Sequence, residues 1–98
     1  MSSESIHEPR EKLSQQTLEL HRALMSLQEE LEAVDWYAQR VDASENKDLK
    51  AIMAHNRDEE IEHAAMMIEW LRRNHPVFAK QLKKFLFTDK PISDHESC

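Results

Sequence analysis

Apolar residues recur at three- and four-residue steps through the first half of the chain: Leu13, Leu20, Leu24, Leu27, Leu31, Val34 and Val41. Positions three and four apart return to one face of a helix, so this spacing predicts a long helix with a single apolar stripe. It should run from about Pro9, whose missing N–H costs nothing in a first turn, to about Ala43. The polar stretch Ser44-Glu45-Asn46-Lys47 interrupts it. Asn46 is placed to cap a second helix, and Asp48 to favour that helix's positive end. The second stripe carries Leu49, Ile52, Met53, Asn56, Glu60, His63, Met67, Trp70 and Leu71. Arg72 and Arg73 complement the dipole at its far end, and Asn74-His75-Pro76 terminates it. Pro76 then opens a short third helix reaching about Phe87, with Val77, Phe78, Leu82, Phe85 and Leu86 as its apolar contacts. Residues 1–8 and 88–98 are polar and read as a flexible N-terminal tail and an extended C-terminal tail, leaving residues 9–87 as one helical domain.

Composition strengthens the all-α reading. The 98 residues include no glycine and only three prolines, which nearly excludes tight β-hairpin turns. Two antiparallel helices and a short third one form two layers with little interior. A chain of this length buries too small a share of its surface to be comfortable alone. Two such hairpins make a four-helix bundle, so a homodimer is the smallest unit expected. The formal charge of -6 argues against a nucleic-acid partner. No apolar run is long enough to span a membrane, and MSSESIHEPRE carries no apolar signal segment, so a soluble cytoplasmic protein is expected. The lone Cys98 has no partner for an internal disulfide.

The chemistry lies where polar residues interrupt the stripes. Glu60 and His63 stand three apart and leave the same face of the second helix, in line with Ile52, Met67 and Trp70. On the first helix, the steps Leu27, Glu30, Val34, Tyr37, Val41 place Glu30 on an otherwise apolar line. Carboxylate and imidazole groups in an apolar seam must be paired, neutralised or bound to metal. One chain thus offers one inward Glu and one Glu-x-x-His; carboxylate-bridged di-iron bundles use two of each, which two copies would supply. Oxygen ligands suit iron in both ferrous and ferric states, and one imidazole per ion leaves room for oxygen or water. A plain polar pair between buried Glu and His is the competing reading of the same residues. Glu4-x-x-His7 repeats the motif in the N-terminal tail, where it carries no meaning.

The segments EELEAVDWYAQRVDA (29–43), HNRDEEIEHAAMMIEWLRR (55–73) and FLFTDKPI (85–92) resemble the encapsulated ferritins, proteins packaged inside encapsulin nanocompartments. The resemblance covers the chain from about Ile6 to Ile92. It implies a two-helix protomer that pairs into a ferritin-like four-helix bundle and assembles further into a ring-shaped decamer. It also implies a ferroxidase centre holding two irons per dimer, which oxidises Fe(II) with oxygen for storage in the shell. The iron ligands implied are Glu30, Glu60 and His63, with Trp36 and Tyr37 beside the centre. An outer metal-attracting site falls on Glu29 and Glu32, where calcium is a further candidate occupant. The chain ends SDHESC, without the short apolar and basic peptide that directs members of the family into the shell. Encapsulation is therefore an expectation taken from the family.

The remaining candidates have plainer readings. Glu29 and Glu32 share a face with Met25 and Trp36 and, taken alone, read as a solvated acidic surface. Asp58, Glu59 and Glu62 read as the wet side of the second helix. His55 reads as a surface or capping residue and His21 as packed or exposed, while Met25, Met53, Met66 and Met67 read as apolar filler. Trp36 and Trp70 read as interface anchors. The alternative to an enzyme is a non-catalytic module in which zinc or calcium at the same residues locks a helical oligomer.

Overall fold

The computed structural model describes residues 6–95; Glu4 of the tail motif and Cys98 lie outside the described residues. Every regular element is helical: α1 (Gln15–Ala43), α2 (Lys47–Asn74) and α3 (Pro76–Phe85), with short 3-10 turns at Arg10–Lys12 and Ile92–His95. Contacts divide the chain into two compact units, Met1–Ile68 and Glu69–Cys98.

The first unit is the hairpin. Its first helix begins later than the apolar spacing predicts. Pro9 starts only the 3-10 turn, Leu13 is extended (φ -98°, ψ 136°), and Ser14 is the true cap. The Ser14 hydroxyl accepts a hydrogen bond from the Thr17 N–H at 3.1 Å, satisfying a donor that the first turn otherwise leaves free. Periodicity cannot see this, because an apolar residue before the cap keeps the same spacing. α1 then runs 29 residues without a break. The link is built as expected: Asn46 Oδ1 accepts from the Leu49 N–H at 2.9 Å and caps α2. Ser44 closes α1 through its N–H to the Arg40 carbonyl at 3.0 Å, in an extended conformation that needs no glycine.

The return of α2 along α1 follows from where their residues meet. Glu30 lies beside His63, and both stand roughly equally far from the link in sequence. Ala23 and Ala64 are the buried apolar residues of this unit among those described. Two small side chains allow close helix approach but make no interior. Leu31, Ile52 and Met66, by contrast, are 52%, 57% and 57% exposed. The Glu30 stripe of α1 (Leu27, Val34, Tyr37, Val41) is half-buried.

In the second unit Leu71 is wholly buried. Glu69 braces the end of α2, accepting from Arg72 Nε at 2.7 Å and from Arg73 Nε at 2.6 Å. Asn74 closes the helix by donating to the Trp70 carbonyl at 2.9 Å. His75 caps α3: its Nδ1 accepts from the Phe78 N–H at 3.3 Å, and its ring stands edge-on to Phe78 at 5.2 Å. α3 stops at Phe85, two residues short of the expected end. Leu86 turns extended and Phe87 takes a left-handed backbone (φ 58°), so neither continues the helical ladder. The tail after it is not wholly extended, since Ile92–His95 closes a 3-10 turn.

Candidate metal centre

Three ligand-bearing side chains meet on the hairpin. Glu30 comes from the middle of α1, and Glu60 and His63 from one face of α2, where the three-residue spacing aligns them. One ligand atom from each lies within 4.8 Å of the other two, a spread that a single cation can draw together. His63 Nδ1 sits 3.2 Å from Glu60 Oε1 and 3.9 Å from Glu30 Oε2. The imidazole therefore turns this nitrogen toward both carboxylates, an orientation that the sequence leaves open.

Burial is uneven within the cluster, and the unevenness is informative. The side chains of Glu30 and Glu60 are 21% and 27% exposed, His63 more. Yet Oε1 of Glu30 is sealed from solvent and has no hydrogen-bond partner among the described residues. Desolvation raises the Glu30 pKa above the ordinary carboxylate value, His63 opposes that rise, and the neighbouring charges of Glu60 and Glu29 add to it. A polar pair explains Glu60 and His63, which satisfy one another. It does not explain Glu30, whose sealed oxygen has no hydrogen-bond partner among the described residues. A divalent cation answers all three needs: it accepts the orphaned oxygen, offsets the carboxylate repulsion, and takes a neutral imidazole nitrogen. The donor set of two carboxylates and one imidazole fits iron, and by its chemistry also fits zinc.

The other residues singled out in the sequence are not among the three that meet. Glu29 is exposed and reaches the centre through its field on Glu30. Glu32 is half-buried in a groove on α1 with Leu24, Leu27, Gln28, Leu31 and Asp35. Trp36 is half exposed. Tyr37 is half-buried, with the Arg40 guanidinium 5.3 Å from its ring centroid, and its hydroxyl bonds none of the three ligand residues within the described chain. His55 is a surface residue, its Nε2 3.4 Å from Glu59. Sequence reasoning missed two anchors: the His75 cap and the Glu69 brace. The Pro at position 76 and the i, i+3 and i+4 spacing of Glu69 with Arg72 and Arg73 were the signals available for them.

An all-helical hairpin bearing an inward Glu and a Glu-x-x-His is the protomer of a ferritin-like protein. The chain matches the model of the EncFtn-like family over residues 5–89 and belongs to that family. It is 59% identical, over 98% of its length and 69% of the relative's, to an "Encapsulated ferritin-like protein" of Rhodospirillum rubrum. A "Ferritin-like protein" of Thermotoga maritima is 50% identical over 96% of this chain and 82% of its own. The "Encapsulin nanocompartment cargo protein EncC" of Myxococcus xanthus is 42% identical over 67% of this chain and 52% of its own. Among solved structures, protein ne0167 of Nitrosomonas europaea superposes with a TM-score of 0.87 at 61% identity, covering 91% of this chain and 98% of that one. The resemblance to encapsulated ferritins read from the three sequence segments is borne out. Among the described residues, no helix is long and apolar enough to cross a membrane.

Proposed function

We propose that the protein is a ferroxidase, oxidising Fe(II) to Fe(III) with oxygen at a di-iron centre completed across a homodimer seam. The observation that carries this reading is the sealed, unpartnered oxygen of Glu30 beside Glu60 and His63. One hairpin gathers three ligands, and a two-fold axis along the seam supplies three more. The exposed apolar residues of the hairpin, Leu31 and Ile52 among them, support pairing, because they have no interior of their own.

In this reading iron is the substrate. Glu60 is assigned the bridging role between two ions, Glu30 a chelating role, and His63 the nitrogen ligand. Each ferrous ion gives up one electron, and oxygen accepts them. Carboxylates keep their hold as the ion gains charge, because their negative charge favours the ferric state more strongly than the ferrous. Glu29 acts on Glu30 through its field and Glu32 follows on the same helix; both are assigned here to an outer site whose charge concentrates cations, calcium included, on the approach to the centre. Trp36 and Tyr37, further along α1, are assigned to the surroundings of the centre.

A lone seam encloses no space for mineral, so the ferric product needs a compartment. The relatives bearing the words encapsulated and encapsulin cargo support an encapsulin shell as that compartment and as the protein's partner in the cytoplasm. The test is to mix metal-free protein with Fe(II) anaerobically, admit oxygen, and follow the ultraviolet absorbance of ferric product. Wild type should oxidise the iron rapidly, and Glu30→Ala, Glu60→Ala and His63→Ala should each lose most of that rate. Wild-type rates in all three variants would overturn the proposal. Tight metal binding with no oxidation would leave the metal-locked oligomer in its place.

A further inference from the structure

Each of the three helices is started by a side chain that accepts a hydrogen bond from a first-turn N–H, and one of the three differs in kind. Ser14 serves α1, Asn46 serves α2 and His75 serves α3. Serine and asparagine do not titrate, so their acceptors are present at any pH; an imidazole loses its acceptor when it gains a proton. His75 Nδ1 accepts from the Phe78 N–H at 3.3 Å, which puts the ring's proton on Nε2 and requires the neutral form. Protonation turns both ring nitrogens into donors. The cap is then lost, and a positive charge stands at the positive end of the α3 dipole. Histidine is the side chain whose charge ordinarily changes between pH 5 and 8.

α3 depends on its cap more than the longer helices depend on theirs. It has 10 residues, against 29 in α1 and 28 in α2, and a helix so short is marginal in water without outside support. None of its residues is buried. Pro76 at its start has no N–H, and the Phe78 N–H is the first-turn donor that the His75 ring satisfies. The proline also holds His75 extended (φ -140°, ψ 110°), so the change in charge acts on the side-chain bond. The same ring stands edge-on to Phe78 at 5.2 Å, which puts cap and aromatic contact on one residue. No carboxylate stands ready to replace the cap. Glu69 on α2 is held by Arg72 and Arg73, α3 carries only the cations Lys80, Lys83 and Lys84, and Asp94 lies on the 3-10 turn packed against α3. His75 makes no ion pair with any of these among the described residues. We propose that His75 is an acid-sensitive latch between α2 and α3: neutral, it caps α3, and protonated, it frees the first turn of α3 and loosens the junction. The latch lies outside the Glu30–Glu60–His63 cluster and does not rest on the ferroxidase reading.

The test is amide hydrogen exchange of the full chain, read by mass spectrometry across a pH series spanning the histidine range, with each rate divided by the intrinsic rate at that pH. Chelator is kept in every sample, so competition between protons and metal plays no part. Protection of peptides within α3 should fall by about five- to tenfold as the pH drops through the series, the fold-change of losing a helix cap, while peptides within α1 keep theirs. His75→Asn supplies a cap that does not titrate and should hold wild-type protection from one end of the series to the other. His75→Ala should show the low protection throughout. Wild-type protection that stays level with pH overturns the proposal, and so does a fall that persists in His75→Asn, since another group would then carry the change. His75→Ala as well protected as wild type at the alkaline end overturns it too, because the ring would then contribute no cap. A fall shared equally by the α1 peptides also overturns it, as the whole chain would then be opening.

Discussion

Replacing Glu30 by glutamine should stabilise the metal-free protein and weaken its response to metal, two changes of opposite sign from one substitution. In the metal-free state Glu30 has a sealed oxygen with no donor and shares its surroundings with Glu60 and Glu29, both carboxylates. An unsatisfied buried polar atom costs about 1–3 kcal/mol. With the side chain 21% exposed, the low end of that range applies. The glutamine amide has the same shape, removes the charge and offers a donor to Glu60. A gain of about 1 kcal/mol corresponds to a rise of roughly 4–8 °C in the unfolding midpoint for a domain of this size. With metal the balance reverses. Saturation at a hundred times Kd stabilises wild type by about 2.7 kcal/mol. If losing a ligand weakens binding ~100-fold, the same concentration stabilises the variant by only ~0.4 kcal/mol. The assay is thermal unfolding at fixed protein concentration, once in chelator and once with anaerobic Fe(II) or Zn(II). If Glu30 is merely an ion-pair partner of His63, the variant unfolds earlier in chelator and keeps the wild-type metal response. That pair of results would refute the reasoning.

Three further outcomes follow from the described contacts. Arg72 and Arg73 donate hydrogen bonds to Glu69 and lower its pKa to about 2 from an ordinary 4.5, so its contribution is present above pH 4.5 and lost as pH falls through about 2. Amide chemical shifts of Arg72 and Arg73 should report fraying of the end of α2 in that window, and Glu69→Gln should remove the dependence. Asn46→Ala deletes the cap of α2 and should cost about 1 kcal/mol in urea unfolding, while Asn46→Gly costs only a few tenths. Leu71→Ala, at a wholly buried position, should cost about 2–5 kcal/mol in the same assay; a loss below 1 kcal/mol would mean that the site collapses around the smaller side chain.

Much of the architecture is legible in the chain because its signals are local. The 3.6-residue phase places Glu30, Glu60 and His63 on inward lines, and the cap at Asn46 lies where a polar side chain can reach the N–H three residues on. The start of α1 is less legible. Pro9 and Ser14 are both acceptable helix starts, and the contest is decided by the extended backbone of Leu13 and the Ser14–Thr17 bond. The end of α3 is hidden for a similar reason: Leu86 and Phe87 continue the apolar composition of the helix but not its backbone.

By itself, then, the order of residues determined that the chain is all-helical, where the hairpin turns, and which three ligand side chains share an inward face. These follow from rise, periodicity and capping, which act within a few residues. The tertiary structure alone decided how the two helices align along their lengths. That alignment brings Glu30 to 3.9 Å from His63 and seals one of its oxygens while the rest of the side chain stays partly wet. Solvent exclusion at a single atom depends on what the neighbouring helix places beside it, and no periodicity within one helix carries that information.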